Sequence, residues 1–303
     1  MEILLTGGTG LIGRALCVPL LAAGHRLTVL SRRPDQVEAL CGAGVQALAR
    51  LADWEPERHF DAVINLAGAP IVDRPWTAAR RRVLWESRVT LTEELVAAIG
   101  RAHTKPAVLL SGSAIGFYGD QGEAVCSDAQ VESPLGHGMD FGGRLCAAWE
   151  AAARHAEGFG VRVCLLRTGL VLARQGGFYA RLHLPFSLGL GTRLGHGRQW
   201  MSWIHIEDHV GAVLALLRDD TLRGAYNLTA PQPARNAEFT AALASSLHRP
   251  AFFVAPACLI RLGLGQRAYF LLGGQKVLPQ RLEAAGFTFR HAGLAEALAA
   301  LAG

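Results

Sequence analysis

The stretch LLTGGTGLIGR, residues 4–14, decides the fold. An apolar run ends in it, and three glycines follow at three-residue spacing before a helical pattern begins. Glycines placed this way let the backbone turn tightly, approach a pyrophosphate and pack the helix closely on the strand, while the helix N-terminus supplies N–H donors. An ordinary glycine-rich turn is the alternative, but its place between a strand and a helix favours a dinucleotide-binding loop. The residues that we assign to this loop are Gly7, Thr9, Gly10, Leu11, Ile12 and Gly13.

The end of the second predicted strand indicates which dinucleotide is bound. This strand ends in VLSRRPD, residues 29–35, where a binder of NAD(H) usually has an acidic residue for the ribose 2′-hydroxyl. Here a small Ser31 is followed by Arg32 and Arg33, which would attract a 2′-phosphate. Two solvated arginines at a strand end are the alternative. We therefore expect NADP(H) to be preferred over NAD(H).

Small residues also follow the fourth predicted strand. The stretch NLAG, residues 65–68, puts Leu66, Ala67 and Gly68 where the ribose on the nicotinamide side and the phosphates should pass. A simple strand-to-loop turn would have the same composition. In this register we assign the three residues to the cofactor site.

The chain has 303 residues, of which half are apolar and 18% are charged. This composition indicates a compact globular protein. The net charge of +5 comes from scattered cations, which argues against a nucleic-acid partner. The six cysteines are far apart and lack histidines at metal spacing, so we expect reduced thiols and no metal site. With no long apolar run and no room for a leader before the first strand, we expect a cytoplasmic protein without a membrane segment. An oligomer is possible.

Apolar runs alternate with helical patterns over the first two-thirds of the chain. Strands that are continuously apolar and separated by helices are typical of a parallel sheet covered on both faces. We predict an α/β fold, a Rossmann-type doubly wound parallel sheet with a smaller C-terminal substrate-binding domain. The predicted boundaries are 1–172 for the NADP-binding domain and 173–303 for the smaller cap region, with 203–229 returning to the first. We expect residues 189–199, which are rich in glycine, to form a loop.

Several motifs together resemble one superfamily from residue 2 to about 300. They are TGGTGLIG, NLAG, SGSAIGFYGD, LLRTGLVL, GHGRQWMSWIH, SWIHIEDHVGA and KVLPQRLEAAGFTF. The chain resembles the extended short-chain dehydrogenase/reductases, and more closely their atypical branch of sugar-nucleotide epimerase-like proteins. The resemblance implies a Rossmann core with a small substrate domain. It also implies a Ser–Tyr–Lys site in which Tyr exchanges a proton with the substrate while a hydride moves to or from the nicotinamide.

The Tyr–Lys pair of that site is missing. A lysine should stand four residues after the tyrosine, but the residues four positions after the four tyrosines are Gly122, His183, Ala230 and Gly273. Where the pair should fall, in MDFGGRLCAAWE (139–150), the best alignment gives Phe141 and Leu145. We match Ser113 to the superfamily serine and take Tyr118 as the candidate for a substitute acid or a substrate contact. A strand-end hydroxyl bonded to backbone is the alternative for Ser113.

Other residues are candidates for contact with a substrate. Arg88 would supply positive charge or hold an anionic substrate, although a helix-surface arginine with a solvated head is the competing interpretation. For a tryptophan candidate the competing interpretation is a core residue, and for a histidine candidate it is a side chain bonded to backbone. The substrate candidates are Trp76, Arg88, His137, Gln199, Trp203 and His205.

Two functions from different classes follow. The first is an NADP(H)-dependent epimerase or oxidoreductase that acts on a small polar or nucleotide-linked substrate through a non-standard proton donor. The second is a catalytically silent NADP(H)-binding sensor or partner-binding protein. Loss of both Tyr and Lys favours the second, whereas a retained pocket rim of polar and aromatic groups favours the first.

Overall fold

A seven-stranded parallel sheet forms the centre of the molecule. The computed structural model describes residues 1–129 and 140–302. The strands are, in chain order, β1 (Glu2–Thr6), β2 (Arg26–Leu30), β3 (Gln46–Leu48), β4 (Ala62–Asn65), β5 (Val108–Ala114), β6 (Val125–Ser127), β7 (Arg162–Thr168), β8 (Leu170–Ala173), β9 (Thr192–Leu194), β10 (Trp200–Met201), β11 (Trp203–His205), β12 (Gly224–Leu228), β13 (Ala234–Arg235), β14 (Phe253–Ala255) and β15 (Lys276–Leu278). The central sheet has the order β12-β7-β5-β4-β1-β2-β3. This order confirms the predicted doubly wound fold.

Helices cover both faces of this sheet. They are α1 (Leu11–Ala22), α2 (Val37–Cys41), α3 (Ala78–Trp85), α4 (Leu91–Arg101), α5 (Phe141–Arg154), α6 (Gly177–Ser187), α7 (Ile206–Arg218), α8 (Asn236–Ser246), α9 (Ala257–Leu264), α10 (Tyr269–Leu272), α11 (Gln280–Ala284) and α12 (Leu294–Ala302). Side chains alternate along β1, so that Ile3 and Leu5 pack beneath α1 and α7 while Leu4 packs beneath α4. Both faces of the sheet are therefore buried from solvent, which is why apolar residues are continuous along the strands and do not alternate with polar ones. Within the described ranges, no helix combines the length and the apolar character that crossing a membrane requires.

Residues 77–101 have a helical pattern in the sequence, but they do not form one regular helix. Thr77 caps α3 by accepting the Arg80 N–H, and α3 ends at Trp85. A π-helical turn, Glu86–Thr90, joins it to α4. Such a turn holds one more residue than an α-helical turn, so the two helices present different faces relative to the sheet. The sequence predicts helix here but not this break.

The last third of the chain divides between the central sheet and a smaller unit. β12 pairs with β7 along the edge of the main sheet, so residues 224–228 lie within the Rossmann core. A separate apolar cluster gathers around Tyr179, Trp203 and Phe239. The stretch 189–199 is not wholly a loop as predicted, because β9 lies within it and pairs in parallel with β14. That pairing joins segments about sixty residues apart, and a local pattern of glycines gives no sign of it.

Candidate functional site

The glycines of residues 7–13 are required by close backbone contacts. Gly7 adopts φ +71°, and a Cβ on it would lie 2.6 Å from the carbonyl carbon of Leu66. A Cβ on Gly13 would lie 2.3 Å from the Gly7 carbonyl oxygen. The Gly10 N–H donates to that same oxygen at 3.0 Å, and α1 begins at the next residue. Thr9, Gly10, Leu11 and Ile12 all keep some solvent exposure at this turn. This turn, residues 7–13, is called the glycine cradle below. It has the free amides and the open space that a pyrophosphate needs.

A buried polar network fixes the loop after β4 against the glycine turn. Asn65 accepts a hydrogen bond from the Thr6 hydroxyl at 2.6 Å and donates to Thr92 at 2.8 Å. The Thr6 hydroxyl oxygen also accepts the Ala67 N–H at 3.2 Å. Leu66 and Ala67 therefore lie beside Gly7. Asn65 and Thr92 were not singled out, since nothing in the sequence indicates that they meet.

The end of β2 carries a small residue and two free cations. The Ser31 hydroxyl accepts the Arg33 N–H at 3.1 Å, which forms a tight turn directly after the strand. Arg32 and Arg33 are exposed. Neither forms a salt bridge to a carboxylate in the part of the chain that the structure describes. Their guanidinium groups are available to an anionic ligand at this strand end.

The serine of SGSAIGFYGD is joined to a buried ion pair. Ser113 donates its hydroxyl proton to Glu150 Oε1 at 2.7 Å. The same carboxylate receives two hydrogen bonds from Arg167, from Nε at 2.8 Å and from Nη2 at 2.9 Å. Burial lowers the pKa of Arg167, but these bonds to Glu150 outweigh it and raise the pKa overall. Because the Ser113 hydroxyl donates its hydrogen bond to Glu150, the lone pairs of the Ser113 oxygen can still accept a hydrogen bond from another donor.

The hydroxyl of Tyr118 lies at the end of the same network. It accepts a hydrogen bond from Arg167 Nη1 at 3.0 Å and donates to Asn227 Oδ1 at 2.8 Å. The side chain is buried, and burial raises the pKa of Tyr118 above its ordinary value despite the nearby Arg167. Tyr118 is thus positioned by protein groups on both sides of its oxygen, and a substrate would have to displace Asn227 to receive its proton.

The two residues that we align with the missing Tyr–Lys pair have hydrocarbon side chains. Phe141 begins α5 directly after the N-cap Asp140, and its ring meets Trp76 edge-to-face at 5.1 Å. Leu145 is buried in the cluster formed by Leu84 and its neighbours. The adjacent thiol of Cys146 is also buried, and desolvation raises its pKa to about 12. No group in this part of α5 can exchange a proton near neutral pH.

Arg88 is brought into the site by the π-helical turn. Its Nη2 donates to the Ala69 carbonyl at 3.0 Å, and its Cζ lies 5.4 Å from the centre of the Trp149 ring. A Cβ on Gly68 would lie 2.9 Å from that Cζ, so the guanidinium packs directly under the cofactor loop. Burial lowers the pKa of Arg88, with a smaller effect of nearby Arg80 in the same direction and of Cys146 in the opposite one. Arg88 is therefore a largely buried cation and not a solvated surface group.

Three further candidates donate hydrogen bonds to backbone carbonyls. Trp203 is fully buried and donates its indole N–H to the Gln232 carbonyl at 3.0 Å, which corrects the expectation that it lines a substrate pocket. Gln199 is buried and donates to the Leu194 and Leu271 carbonyls. Trp76 is half-buried and donates to the Ile71 carbonyl at 2.8 Å. His137 lies outside the described residues.

His205 meets residues that the sequence analysis did not connect with it. Its Nδ1 accepts the Glu207 N–H at 3.2 Å and so caps α7, and its ring lies 3.8 Å from that of His291. One ligand-type atom each of His205, Glu207 and His291 falls within a 4.8 Å cluster. A metal on the other nitrogen of His205 would require a proton on Nδ1, facing the Glu207 N–H. We therefore assign this cluster to helix capping.

The glycine cradle, the polar strand ends and the parallel sheet define a dinucleotide-binding α/β protein. Residues 3–229 match the model of the NAD dependent epimerase/dehydratase family, and residues 255–301 match a domain of unknown function, DUF1731. The chain belongs to the NAD dependent epimerase/dehydratase family. It is 40% identical over 305 residues to an epimerase family protein of Mycobacterium bovis, covering 97% of this chain and 95% of the relative. An epimerase family protein of Staphylococcus aureus is 36% identical over 299 residues, covering 98% and 97%.

Solved structures show the same architecture. The human epimerase family protein SDR39U1 (isoform 2), determined with NADPH, superposes with a TM-score of 0.89 at 35% identity and covers 100% of this chain and 99% of the human one. A nucleoside-diphosphate sugar epimerase of Corynebacterium glutamicum gives 0.76 at 28% identity, covering 100% and 58%. The UDP-glucuronic acid 4-epimerase of Bacillus cereus, with UDP-glucuronic acid and NAD, gives 0.77 at 17% identity, covering 100% and 98%, and shares the fold. The resemblance to extended short-chain dehydrogenase/reductases is thereby confirmed.

Proposed function

We propose that the chain is an NADP(H)-dependent epimerase or oxidoreductase of the extended short-chain type, acting on a small polar or nucleotide-linked substrate. The observation that carries this proposal is the glycine cradle, where Cβ atoms on Gly7 and Gly13 would meet backbone at 2.6 and 2.3 Å. A backbone so tightly held and open to solvent suits a pyrophosphate. The NADPH in the human relative supports the same assignment. The bound nicotinamide would supply or accept the hydride.

The preference for NADP(H) rests on the end of β2. Arg32 and Arg33 are exposed beside the Ser31 turn, and a guanidinium pairs strongly with a phosphate. The position that would carry the ribose-binding carboxylate of an NAD(H) site is the serine. We propose that the 2′-phosphate of the cofactor lies between these arginines.

Proton transfer must use groups other than the usual pair. Ser113 can accept a hydrogen bond from a substrate hydroxyl, because its own proton goes to Glu150. Tyr118 has the hydroxyl that could donate, and Arg167 would stabilise the charge left behind. We propose Ser113 as the group that orients the substrate oxygen and Tyr118 as the acid.

A second function is favoured by a specific observation. Phe141 and Leu145 stand where Tyr and Lys would act, and both neighbours of the Tyr118 oxygen are protein groups. A chain of this kind could bind NADP(H) and report its occupancy without chemistry. We keep a catalytically silent sensor as the alternative.

For either function we propose the cytoplasm as the compartment, since the six cysteines are unpaired.

The cofactor assignment is tested by fluorescence titration with NADPH and NADH. We expect tighter binding of NADPH, and we expect Arg32→Ala to reduce the preference by about tenfold, the effect of losing one charge-assisted contact. The exposed Arg82→Ala is the matched control and should leave both affinities unchanged. Equal affinity of the unmodified protein for the two cofactors would refute the preference.

Enzymatic function is tested by following nicotinamide absorbance. The NADPH complex is incubated with a panel of ketones and the NADP+ complex with a panel of nucleotide sugars, and the products are analysed for reduction and for inverted centres, respectively. Turnover that falls in Tyr118→Phe supports the enzyme. A protein that binds NADPH tightly but leaves every substrate unchanged is the silent sensor.

A further inference from the structure

The position of Arg88 in the chain is unusual. It lies within the π-helical turn Glu86–Thr90, between two regular helices. Such turns are frequent at functional sites, and the extra residue changes the direction of the side chains that follow. Here the redirected side chain is the guanidinium under Gly68. The local backbone therefore serves to bring a cation to the loop after β4.

Arg88 lacks a carboxylate partner of the kind that Arg167 has. Arg167 forms two short hydrogen bonds with the Glu150 carboxylate. Arg88 has no carboxylate partner among residues 1–129 and 140–302. One short bond, to the Ala69 carbonyl, is joined by two 3.5 Å contacts from Nη1, to the Leu84 carbonyl and to the Ser87 hydroxyl. Burying a guanidinium without a counter-charge is unfavourable, so an anion is expected to compensate it when the site is in use.

The charged side chains around Arg88 are bonded to other groups. Arg80 lies close enough to lower the pKa of Arg88, and its own ion pair is with Asp73 at 2.7 Å. Asp140 lies at the start of α5, but its carboxylate accepts the Gly143 N–H at 2.7 Å and bonds with Tyr269. Neither acid is directed at Arg88. Because Asp73 pairs with Arg80 and Asp140 bonds with Gly143 and Tyr269, neither carboxylate compensates the charge of Arg88.

We infer that Arg88 is a specificity-determining residue that binds an oxyanion, a carboxylate or phosphate group of the substrate, beside the nicotinamide end of the cofactor site. The inference rests on the proposed function for its placement next to the cofactor. The guanidinium offers a planar fork that such a group accepts in two hydrogen bonds. Substrates without an anionic group near the reacting carbon would then bind poorly.

The experiment measures anion binding to the protein saturated with NADP+. Calorimetric titrations use malonate as a carboxylate probe, inorganic phosphate as the second anion and malonamide as the uncharged analogue. We expect one or both anions to bind and malonamide not to bind. Arg88→Met should weaken anion binding at least about tenfold, and Arg88→Lys, which keeps the charge without the fork, should be intermediate. Arg82→Met, on the exposed side of α3, is the matched control.

The outcomes separate this inference from the proposed function. NADP+ affinity is measured first for every variant. If Arg88→Met weakens NADP+ itself as much as it weakens the probes, the cation serves the cofactor and the inference is wrong. If malonate and phosphate bind no better than malonamide, or bind equally well to Arg88→Met, the inference is also wrong while the cofactor assignment stands. If the protein does not bind NADP+, the proposed function fails and the same titrations on the free protein decide the role of Arg88. Circular dichroism confirms that Arg88→Lys is folded should Arg88→Met not fold.

Discussion

A buried carboxylate organises the polar side chains at the ends of β5 and β7. Glu150 is shared between Ser113 and Arg167, so the carboxylate neutralises one guanidinium and orients one hydroxyl. Phe117 covers the other side of Arg167, with 3.7 Å between Cζ and the ring centre. Such a fully bonded ion pair is strongly destabilised when one partner is removed. The polar groups at this edge are thus as constrained as the apolar core beneath them.

One buried histidine makes stability depend on pH. Burial lowers the pKa of His209 to about 4, whereas an imidazole in an unfolded chain titrates near ~6.5. Between these values the unfolded chain binds a proton that the folded protein excludes, so the free energy of unfolding falls as the pH falls. We expect a loss of about 1.4 kcal/mol per pH unit from pH ~6.5 down to ~4, measured by urea unfolding.

The control for this prediction is His209→Gln, which keeps a polar group next to the Thr168 hydroxyl, 3.1 Å from the imidazole Nε2. Burial also lowers the pKa of His205, so part of the pH dependence should persist in that variant. An unchanged slope in His209→Gln would mean that His209 is not the source.

At the scale of one element, the start of α1 tests the cofactor cradle. A Cβ on Gly13 would lie 2.3 Å from the Gly7 carbonyl oxygen and 2.6 Å from the Gly8 Cα. Backbone atoms cannot move aside as a flexible side chain does, so Gly13→Ala should push α1 away from β1. We expect a loss of NADPH affinity of at least about tenfold and a stability loss of about 1–3 kcal/mol.

Gly158→Ala is the matched control, because no atom lies within 4 Å of a Cβ built there. It should leave NADPH affinity unaltered in the same fluorescence titration. Retention of affinity in Gly13→Ala would show that the loop adapts and that its glycines are not what selects the ligand.

At the scale of the whole molecule, the C-terminal segment is tied to the sheet through Asp128. Its two carboxylate oxygens accept the Asn227 N–H at 2.6 Å and the Arg281 N–H at 3.1 Å. β15 also pairs in parallel with β6 just before Asp128. Asp128 and the β15–β6 pairing therefore hold the segment that matches the domain of unknown function next to β12 and Tyr118.

Asp128→Asn should loosen this connection. The amide replaces one acceptor with a donor that faces a backbone N–H, which costs about 1–3 kcal/mol. We expect faster hydrogen exchange at residues 276–284, while the amides of β1 and β4 stay protected. Asp219→Asn, an exposed carboxylate that bonds with Thr221, is the control. Uniformly faster exchange over the whole chain would indicate a global loss of stability instead.

How much the sequence could predict depends on how far apart in the chain the interacting residues lie. The glycine turn and the central strands depend on neighbouring residues, and both were located correctly. The bonds of Tyr118 to Asn227 and of Ser113 to Glu150 span 109 and 37 residues, and His205 and His291 are also far apart in the sequence. Such contacts depend on how strands and helices are placed in space. The same limit explains the misassignment of Trp203, whose burial depends on elements packed from several parts of the chain.

The π-helical turn Glu86–Thr90 has a consequence for how the family could change over time. Deleting one residue there would restore a regular helix and rotate α3 relative to α4 by about 100°. Thr92 could stay bonded to Asn65, but Arg88 would turn away from Gly68. A single codon deletion could therefore remove the cation from the site while the sheet and the glycine cradle remained intact, which gives evolution, or an engineer, a one-step route to a different ligand.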